Sequence, residues 1–138
     1  MFFGRHERQL DDKGRVALPA PFRDELGDRC YLSFGENGCI DVLSAAEFEA
    51  TVREIREQVK RRELPMSRQR AIAHSATPAT VDKQGRIKVD ESLREYAQMQ
   101  LSSKIVVAGN IDRIELWSQS VYDATAARSS SELARGDS

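Results

Sequence analysis

Two short segments of the sequence carry an aspartate and an arginine four positions apart, with a glycine directly before the arginine. The first runs from Asp11 to Arg15, and the second runs from Asp82 to Arg86, 71 positions later. A guanidinium at a hairpin tip can donate two hydrogen bonds to guanine or phosphate, and a carboxylate beside it across the turn can hold its rotamer. Each such pair is therefore a candidate nucleic-acid contact. A single copy could also be an exposed ion pair that contributes about 0–1 kcal/mol to stability.

The likeness between the two parts of the chain extends beyond these segments. Residues 22–24 match residues 93–95 at the same offset, and residues 40–44 match residues 114–118 after a slip of three positions. Chance does not easily produce such a match over about 35 residues. The sequence therefore contains a duplicated unit, and the duplication favours the functional interpretation of both aspartate–arginine pairs.

Each copy has the same predicted plan of strands and turns. A strand ends at the aspartate, the chain turns at Gly14 or Gly85, and an alternating strand follows, so each motif is expected at the tip of a hairpin. A short helix comes next, bounded by Pro21 and Gly27 in the first copy and capped by Asp90 in the second. Two further paired strands complete each copy: 31–34 and 39–43 in the first, 104–108 and 113–117 in the second. Each half is therefore rich in β-structure.

One helix is predicted between the copies. Ser44 and Glu47 form a capping box, and apolar residues at spacings of four, three and four form a helical stripe that reaches Leu64 before Pro65 ends it. From Ala126 onward the chain is rich in Ser, Arg and Gly and has little to bury, which favours a mobile tail. The predicted organisation is a first repeat at 5–47, a linking helix at 48–65, a second repeat at 77–120 and a mobile tail at 126–138.

The duplication also predicts the fold class. A copy of about 45 residues buries too little apolar surface to fold alone, so the two copies must share one core. The simplest arrangement relates them by a pseudo-twofold axis, with strands of one copy completing the sheet of the other. The sequence thus predicts a mainly β protein with short helices, of the α+β class, in which two internal repeats form a small interleaved barrel and a linking helix joins them.

The composition excludes several classes of protein. The 138 residues are 40% hydrophobic and 31% charged, the mean hydropathy is −0.54, and no apolar run approaches the roughly 20 residues of a membrane span. The formal net charge is −1, so a polyanion must be met by a local basic patch. Cys30 and Cys39 do not have metal-site spacing and are expected to be small buried thiols, and His6 and His74 lack a second ligand at metal spacing.

Sequence motifs of enzymes are also absent. The chain has no nucleophile-elbow motif, no phosphate-binding loop and no zinc-protease motif. A charged residue, Arg5, follows the first four residues, so the start of the chain lacks the apolar core of a secretory signal. We therefore expect a cytoplasmic protein that is not an enzyme, with no membrane association, no metal, no organic cofactor and no small-molecule substrate.

With its doubled Asp-x-x-x-Arg motif, the chain resembles the MraZ family, bacterial transcriptional regulators of the division and cell-wall gene cluster in the AbrB-like, swapped-hairpin superfamily. The resemblance covers nearly all of residues 1–122 and includes the Met-Phe-x-Gly start, residues 10–19, residues 81–87 and the Ile-Glu-Leu-Trp segment at 114–117. It implies a double-psi-type barrel that assembles into homo-oligomeric rings. It also implies a nucleoid-associated repressor that binds repeated elements of double-stranded DNA in the promoter of its own operon.

Carried over residue by residue, the resemblance also implies a set of contacts. Gln84 stands where the first copy has Lys13, so the basic contact of the second copy shifts to Lys83. The implied DNA-binding residues are Asp11, Lys13, Arg15, Asp82, Lys83 and Arg86.

Other interpretations stay open beside this one. The same barrel could serve as a non-DNA scaffolding or antitoxin-like interaction module, because a fold does not determine a function. The basic residues between positions 53 and 70 are interpreted as a solvated helix face, with a supplementary phosphate contact as the alternative. Trp117 lies in an apolar strand pattern, which favours a core residue over a base-stacking platform.

Overall fold

The structure is a computed structural model that describes residues 1–136. Within this range the chain forms eight strands and five α-helices. The strands are β1 (Arg5–Gln9), β2 (Arg15–Ala17), β3 (Arg29–Phe34), β4 (Ile40–Ser44), β5 (Thr77–Thr80), β6 (Arg86–Lys88), β7 (Lys104–Asn110) and β8 (Arg113–Ser118). The helices are α1 (Ala20–Leu26), α2 (Ala45–Lys60), α3 (Met66–Ser75), α4 (Glu91–Tyr96) and α5 (Gln119–Arg135). This mixture of antiparallel strands and short helices confirms the predicted α+β class.

The strands of the two repeats alternate within one sheet. Six strands lie in the order β1-β7-β8-β4-β3-β5, and β2 pairs with β6 in a separate two-stranded ribbon. Exchanging each strand for its counterpart (β1 with β5, β2 with β6, β3 with β7, β4 with β8) reverses the order and otherwise leaves it unchanged. Because β1 pairs with β7 and β5 pairs with β3, each repeat completes the sheet of the other, as the sequence predicts. Closure of the strands into a barrel stays a prediction.

Both repeats contribute to one core at matching positions. Val16 and Ile87 lie opposite each other in the ribbon and are 0% and 1% exposed. Other fully buried members of the same cluster are Leu10, Leu32, Ile40, Leu93, Ile105, Ile114 and Leu116. Because this cluster runs continuously through both repeats, neither repeat has an apolar core of its own.

The pairing of the motif strands differs from the prediction. We expected β1 and β2 to form a hairpin with the motif at its tip, but β1 pairs with β7 and β2 pairs with β6. Each motif is instead a corner between two strands that both pair with the other repeat. The physical reason is burial, since pairing across the repeats encloses Val16 and Ile87 together, and a local hairpin would leave the two copies without a shared core.

The linking segment contains two helices where one was predicted. Ser44 Oγ accepts a hydrogen bond from the Glu47 N–H at 3.2 Å, so α2 begins at the predicted cap. The helix ends at Lys60, before Leu64, and Pro65 then precedes α3. Proline interrupts a helix because it lacks an N–H, but the first N–H groups of a helix are unbonded in any case, so Pro65 can start the next one.

The predicted mobile tail contains a helix. Helix α5 begins after Ser118, whose side chain accepts the Val121 N–H, and continues through the predicted tail to Arg135, where Gly136 ends it in the left-handed conformation. None of the α5 residues is buried, which agrees with the expectation that this segment has little to bury. Residues 137 and 138 of the predicted tail lie outside the described residues. In residues 1–136, no helix is long and apolar enough to cross a membrane.

Candidate nucleic-acid interface

The first motif forms a tight turn in which backbone and side chains are bonded together. The Asp11 N–H donates to the Arg15 carbonyl at 2.9 Å, and the Gly14 N–H donates to the Asp11 carbonyl at 3.2 Å. Asp11 Oδ1 accepts the backbone N–H groups of Lys13 and Arg15 at 2.9 and 2.8 Å, and Asp11 Oδ2 accepts Arg15 Nε at 2.8 Å. Asp11 therefore stabilises the turn through its bonds to the backbone, and it fixes the orientation of the Arg15 side chain through its bond to Nε.

The second motif repeats this geometry. The Asp82 N–H donates to the Arg86 carbonyl at 3.0 Å, and the Gly85 N–H donates to the Asp82 carbonyl at 2.9 Å. Asp82 Oδ1 accepts the N–H groups of Gln84 and Arg86 at 2.9 Å each, and its Oδ2 accepts Arg86 Nε at 3.0 Å. The expected contact between aspartate and arginine is thus present in both turns. The role of these residues toward DNA stays a prediction.

The bonding pattern leaves the outer edge of each motif guanidinium unused. Arg15 and Arg86 are bonded to their aspartates through Nε, and within residues 1–136 neither uses Nη1 or Nη2 in a hydrogen bond inside the protein. Their side chains are 30% and 27% exposed. The two Nη groups of a guanidinium are the donors that reach a phosphate or the edge of guanine. Each turn therefore presents a held arginine with free donors.

The ribbon of β2 and β6 places both arginines on one face. Arg15 lies opposite Lys88, and Ala17 lies opposite Arg86. Because side chains alternate along a strand and Val16 is buried, Arg15, Arg86 and Lys88 share the outer face. Arg15 and Arg86 are diagonal neighbours across the two strands, and such neighbours lie about 7–8 Å apart, with their Cβ atoms somewhat closer. One subunit thus offers two motif arginines within a short distance, together with a lysine that the sequence analysis missed.

The predicted lysines lie in the turns but are not equivalent. Lys13 and Lys83 are both exposed, and the counterpart of Lys83 in the first turn is Asp12. In the first turn the charges of two acidic and two basic residues cancel. The second turn has one acidic and two basic residues, so its net charge is positive. The second turn and Lys88 therefore carry the larger positive charge. Strand alternation after Arg86 was the signal that could have identified Lys88 from the sequence.

An arginine of the opposite repeat packs against each motif glycine. Gly14 has a φ of +80°, and a Cβ added to it would lie 2.6 Å from Nη1 of Arg94 on α4. Gly85 has a φ of +77°, and a Cβ there would overlap the guanidinium of Arg23 on α1. Both turns therefore favour glycine for the backbone conformation, and a Cβ at either position would also force the packed arginine side chain to move. The sequence analysis aligned Arg23 with Arg94 but did not include them in the site.

The substitution Gly85→Ala is expected to damage the second turn more than a positive φ alone would. An L-residue at positive φ costs about 1–2 kcal/mol, and displacing the packed Arg23 adds about 1–3 kcal/mol. Gly4→Ala is the matched control, because Gly4 has a φ of +81° and no atom within 4 Å of an added Cβ. Urea unfolding of both variants checks this. Equal losses of stability would contradict the role of the Arg23 contact.

The carboxylates of the two turns have lowered pKa values. Burial acts to raise the pKa of Asp11, but hydrogen bonds from the backbone and side chain of Arg15 and from the Lys13 backbone outweigh it and lower the pKa from 3.8 to about 2. The pKa of Asp82 is also lowered, chiefly by the hydrogen bond from the Arg86 backbone, against a smaller opposing effect of burial. Both aspartates are therefore ionised, and both turns stay formed, throughout the neutral range.

This shift predicts a pH-dependent contribution of Asp11 to stability. A carboxyl whose pKa is lowered by folding stabilises the folded state above its unfolded pKa of 3.8, and this contribution is lost as the pH falls through about 2. We expect the stability difference between the wild type and Asp11→Asn to shrink as the pH falls across that window. Urea unfolding at several pH values between about 5 and about 2 measures it. A difference that does not change with pH would contradict the bonding described for the turn.

A second polar cluster lies at the start of β4 and on β8. The potential metal-ligand atoms of Cys39, Asp41 and Glu115 lie within 4.8 Å of one another. Arg113 Nη1 donates to Asp41 at 3.0 Å, and the Glu115 carboxylate accepts Trp117 Nε1 at 3.2 Å. Both carboxylates therefore already have hydrogen-bond partners within the protein. The positively charged guanidinium of Arg113 beside Asp41 would repel a metal cation. The prediction that the chain holds no metal is not tested by this cluster.

The remaining residues singled out in the sequence mostly have structural positions. Cys30 and Cys39 are each 1% exposed, and Trp117 is 6% exposed, so all three are core residues as predicted. Burial raises the pKa of Cys30 to about 11, and burial and then nearby Asp41 raise that of Cys39, so both thiols stay protonated. His6 packs edge-on against a phenylalanine ring at 5.3 Å between ring centroids.

The basic stretch between positions 53 and 70 forms ion pairs along an exposed surface. Arg53 binds Glu49 at 2.9 Å, and Arg61 binds Glu63 at 3.0 Å. These contacts agree with a solvated helix face. A supplementary phosphate contact by this stretch stays a prediction.

The fold and the site together define the chain as a duplicated protein with exchanged strands, in which two aspartate-held arginines share one exposed ribbon. A comparison with known families gives a match over residues 1–65 and 72–137 to the family described as "MraZ protein, putative antitoxin-like". The chain belongs to the MraZ family.

Individual relatives agree with this membership. The chain is 37% identical over 134 residues to a protein of Salinispora tropica, a match that covers 97% of this chain and 93% of the relative. It is 36% identical over 137 residues to a protein of Corynebacterium jeikeium, covering 99% of this chain and 94% of the relative. A protein of Cutibacterium acnes is 37% identical over 123 residues, 89% of this chain and 85% of the relative. All three relatives are named "Transcriptional regulator MraZ".

Proposed function

We propose that the chain is a sequence-specific DNA-binding transcriptional regulator and that the ribbon of β2 and β6 is its DNA-contacting surface. The observation that carries the proposal is the pair Arg15 and Arg86, each held by an aspartate through Nε and each with its Nη groups unused, on one exposed face. The names of the relatives support the same role. The proposed contact residues are Asp11, Lys13, Arg15, Asp82, Lys83 and Arg86.

The geometry suits recognition of a duplex. A guanidinium that is already held in one rotamer loses little conformational entropy on binding. Its Nη edge can donate to O6 and N7 of guanine, and a two-stranded ribbon fits a major groove about 12 Å wide. The exposed lysines of the two turns would contact phosphates, which position the protein without reading sequence.

Few base contacts per subunit make several subunits necessary. Two arginines cannot provide the affinity of about 10⁻⁸ M or tighter that is typical of specific regulators. We propose a homo-oligomeric ring whose subunits bind short repeated elements in the promoter, because linked contacts gain from effective concentration. Bound there, the ring would exclude RNA polymerase. It would thereby repress its own operon, the division and cell-wall operon. Such a regulator acts in the cytoplasm, at the nucleoid.

A catalytic role has little support beside this one. Both thiols are buried with raised pKa values, so neither is an available nucleophile. The proposal requires no metal, no organic cofactor and no small-molecule substrate.

The test is a binding measurement with two duplexes over a range of salt concentrations. One duplex covers the region upstream of the gene that encodes the chain, and the other has the same composition in scrambled order. We expect tighter binding to the first, and log affinity that falls with log salt by about 0.9 for each phosphate contact. Equal binding to the two duplexes would exclude sequence-specific regulation, and no binding to either would exclude the DNA-binding proposal.

A scaffolding or antitoxin-like interaction module is the second candidate. The description of the family as antitoxin-like favours it, as does the absence of net positive charge in the first turn. In that case binding to both duplexes would be absent, and the ribbon face would bind a protein partner. The same measurement therefore separates the two candidates.

A further inference from the structure

The outer face of the β2–β6 ribbon carries four side chains in two rows. Arg15 lies directly opposite Lys88 in one row, and Ala17 lies directly opposite Arg86 in the other. Because the central residue of each strand is buried, these four side chains point outward. The two rows are two residues apart along the strands, a distance of about 7 Å. The ribbon therefore presents a compact array of three cationic side chains and one methyl group.

This array departs from the pseudo-twofold symmetry of the fold at one place. The offset of 71 positions that relates the repeats exchanges Arg15 with Arg86, and it exchanges Ala17 with Lys88. The arginines therefore match, whereas a lysine on β6 corresponds to an alanine on β2. Both of these side chains are exposed, so burial does not account for the difference. The row of Arg15 has one more positive charge and one more donor group than the row of Arg86.

The position of Lys88 is unfavourable for the fold itself. Like charges that lie directly opposite each other on paired strands destabilise a sheet. Arg15 is paired with Asp11, but the side chain of Lys88 forms no hydrogen bond or ion pair within residues 1–136. Departures from favourable local chemistry are expected at functional sites. The lysine therefore has a cost to the sheet and no partner inside the described part of the chain.

Lys88 has the chemistry and the position to contact a base. When a two-stranded ribbon enters the major groove, the side chains of its outer face point at the base edges. Lysine, like arginine, donates to N7 and O6 of guanine. Residues that are directly opposite on paired strands have Cβ atoms about 5 Å apart, and successive base pairs are stacked about 3.4 Å apart. Arg15 and Lys88 can therefore reach neighbouring base pairs.

We infer that Lys88 is a specificity-determining residue that reads a guanine next to the base pair contacted by Arg15. This inference rests on the proposed function and deepens it. Because Ala17 offers no donor beside Arg86, the contacts made by the two sides of the ribbon are unequal. One subunit therefore binds its DNA element in one orientation, although its own fold is pseudo-symmetric.

The experiment compares four variants with the wild type. Lys88→Met keeps a long side chain but removes the charge and the donor, and Lys88→Arg keeps both. Ala17→Lys/Lys88→Ala moves the lysine to the other row of the ribbon. The control Arg128→Met removes one positive charge from an exposed position on α5.

Affinities are measured for the upstream duplex, for the scrambled duplex and for a set of upstream duplexes in which each base pair is replaced in turn. The upstream and scrambled duplexes are measured at several salt concentrations. Circular dichroism and urea unfolding establish that each variant is folded.

We expect Lys88→Met to lose at least about fivefold of its preference for the upstream duplex over the scrambled one. The loss should be confined to one base-pair position of each bound element, where replacement no longer weakens binding. Lys88→Arg should keep the preference at that position. The exchange variant should lose it there and gain a preference on the other side of the base pairs contacted by the arginines. The control should match the wild type.

The stability of Lys88→Met provides an independent readout. Because the substitution removes the repulsion between Lys88 and Arg15, the urea midpoint should stay the same or rise. A fall in the midpoint together with a loss of affinity at every position would overturn the inference, because Lys88 would then support the fold.

The other outcomes separate this inference from the proposed function. If the wild type binds no duplex, or binds both equally, the proposed function fails and the inference fails with it. If the wild type prefers the upstream duplex and Lys88→Met keeps that preference at every position, the inference alone is wrong. An equal loss of affinity for both duplexes, with a salt slope reduced by about 0.9, would also overturn it, because Lys88 would then contact a phosphate.

Discussion

The double variant Arg15→Ala/Arg86→Ala is expected to lose specific DNA binding and to stay folded. A bidentate contact to a base contributes about 1–3 kcal/mol of discrimination, so two contacts correspond to a loss of roughly 30-fold at the least in one subunit. In a ring the loss is multiplied over the subunits that contact DNA. The fold should survive because the Arg15 and Arg86 side chains lie half-buried at the protein surface, where an ion pair contributes only about 1 kcal/mol, and the alanine variants keep the backbone hydrogen bonds to Asp11 and Asp82.

The control for this variant is Arg53→Ala. Arg53 also forms an ion pair with an acid four positions away, at 2.9 Å from Glu49, but on α2. We expect wild-type affinity from the control, and we expect unchanged thermal unfolding from both variants to within a few degrees. A double variant that still prefers the upstream duplex would remove the motif arginines from the mechanism. The single variants Arg15→Ala and Arg86→Ala would then show whether the more basic second turn contributes more.

The second large effect is expected at Arg113. Its guanidinium donates to Asp41, which is 4% exposed on β4, and burial raises the pKa of Asp41 although Arg113 acts to lower it. Replacing Arg113 by Met leaves a buried carboxylate without its partner, and such a change costs about 3–5 kcal/mol. The partial exposure of Arg113 favours the lower end of this range. Urea unfolding measures the loss.

The pH dependence of this loss has a definite sign. Without Arg113, the pKa of Asp41 in the folded state lies further above its unfolded value, so the folded protein binds a proton more readily than the unfolded chain. The destabilisation should therefore be smallest below the ordinary pKa of an aspartate and grow as the pH rises. Asp41→Asn/Arg113→Met removes both charges and should recover most of the stability at neutral pH. A double variant as unstable as the single one would contradict the role of the buried charge.

The position of the two turns changes how one subunit can act. Placed at separate hairpin tips, the motifs could contact DNA independently. On one ribbon, Arg15 and Arg86 are diagonal neighbours, and each turn is supported by an arginine of the opposite repeat. A substitution in one repeat is therefore expected to disturb the motif turn of the other repeat. The two motifs of a subunit form one contact surface.

Much of the local structure could be predicted because its hydrogen bonds join residues close in sequence. The contact of Asp11 with Arg15 spans four positions, and the helix caps at Ser44 and Asp90 span three. Glycine at a turn and serine or aspartate at a cap carry a signal that needs no knowledge of distant residues. The duplication added the prediction that the repeats share a core.

Other features depend on residues that are far apart in the sequence. The contact between Gly85 and Arg23 joins positions on different repeats, and no local pattern distinguishes that arginine from other surface arginines. The second linking helix was missed because Pro65 ends one helix and can equally precede another. Helix α5 was missed because its serines and arginines suggested a tail, whereas a cap at Ser118 and a left-handed Gly136 bound a regular helix.

The sequence by itself determined the composition and internal bonding of the two turns, the duplication and the α+β class, since these depend on short-range hydrogen bonds and on the repetition of one apolar pattern. Only the tertiary structure decided that β2 pairs with β6 and β1 with β7, and hence that both motif arginines lie on one face. Strand pairing is selected by which arrangement encloses the most apolar surface, with Val16 and Ile87 at its centre. That choice is a property of the whole chain, because burial sums over contacts that no single segment contains.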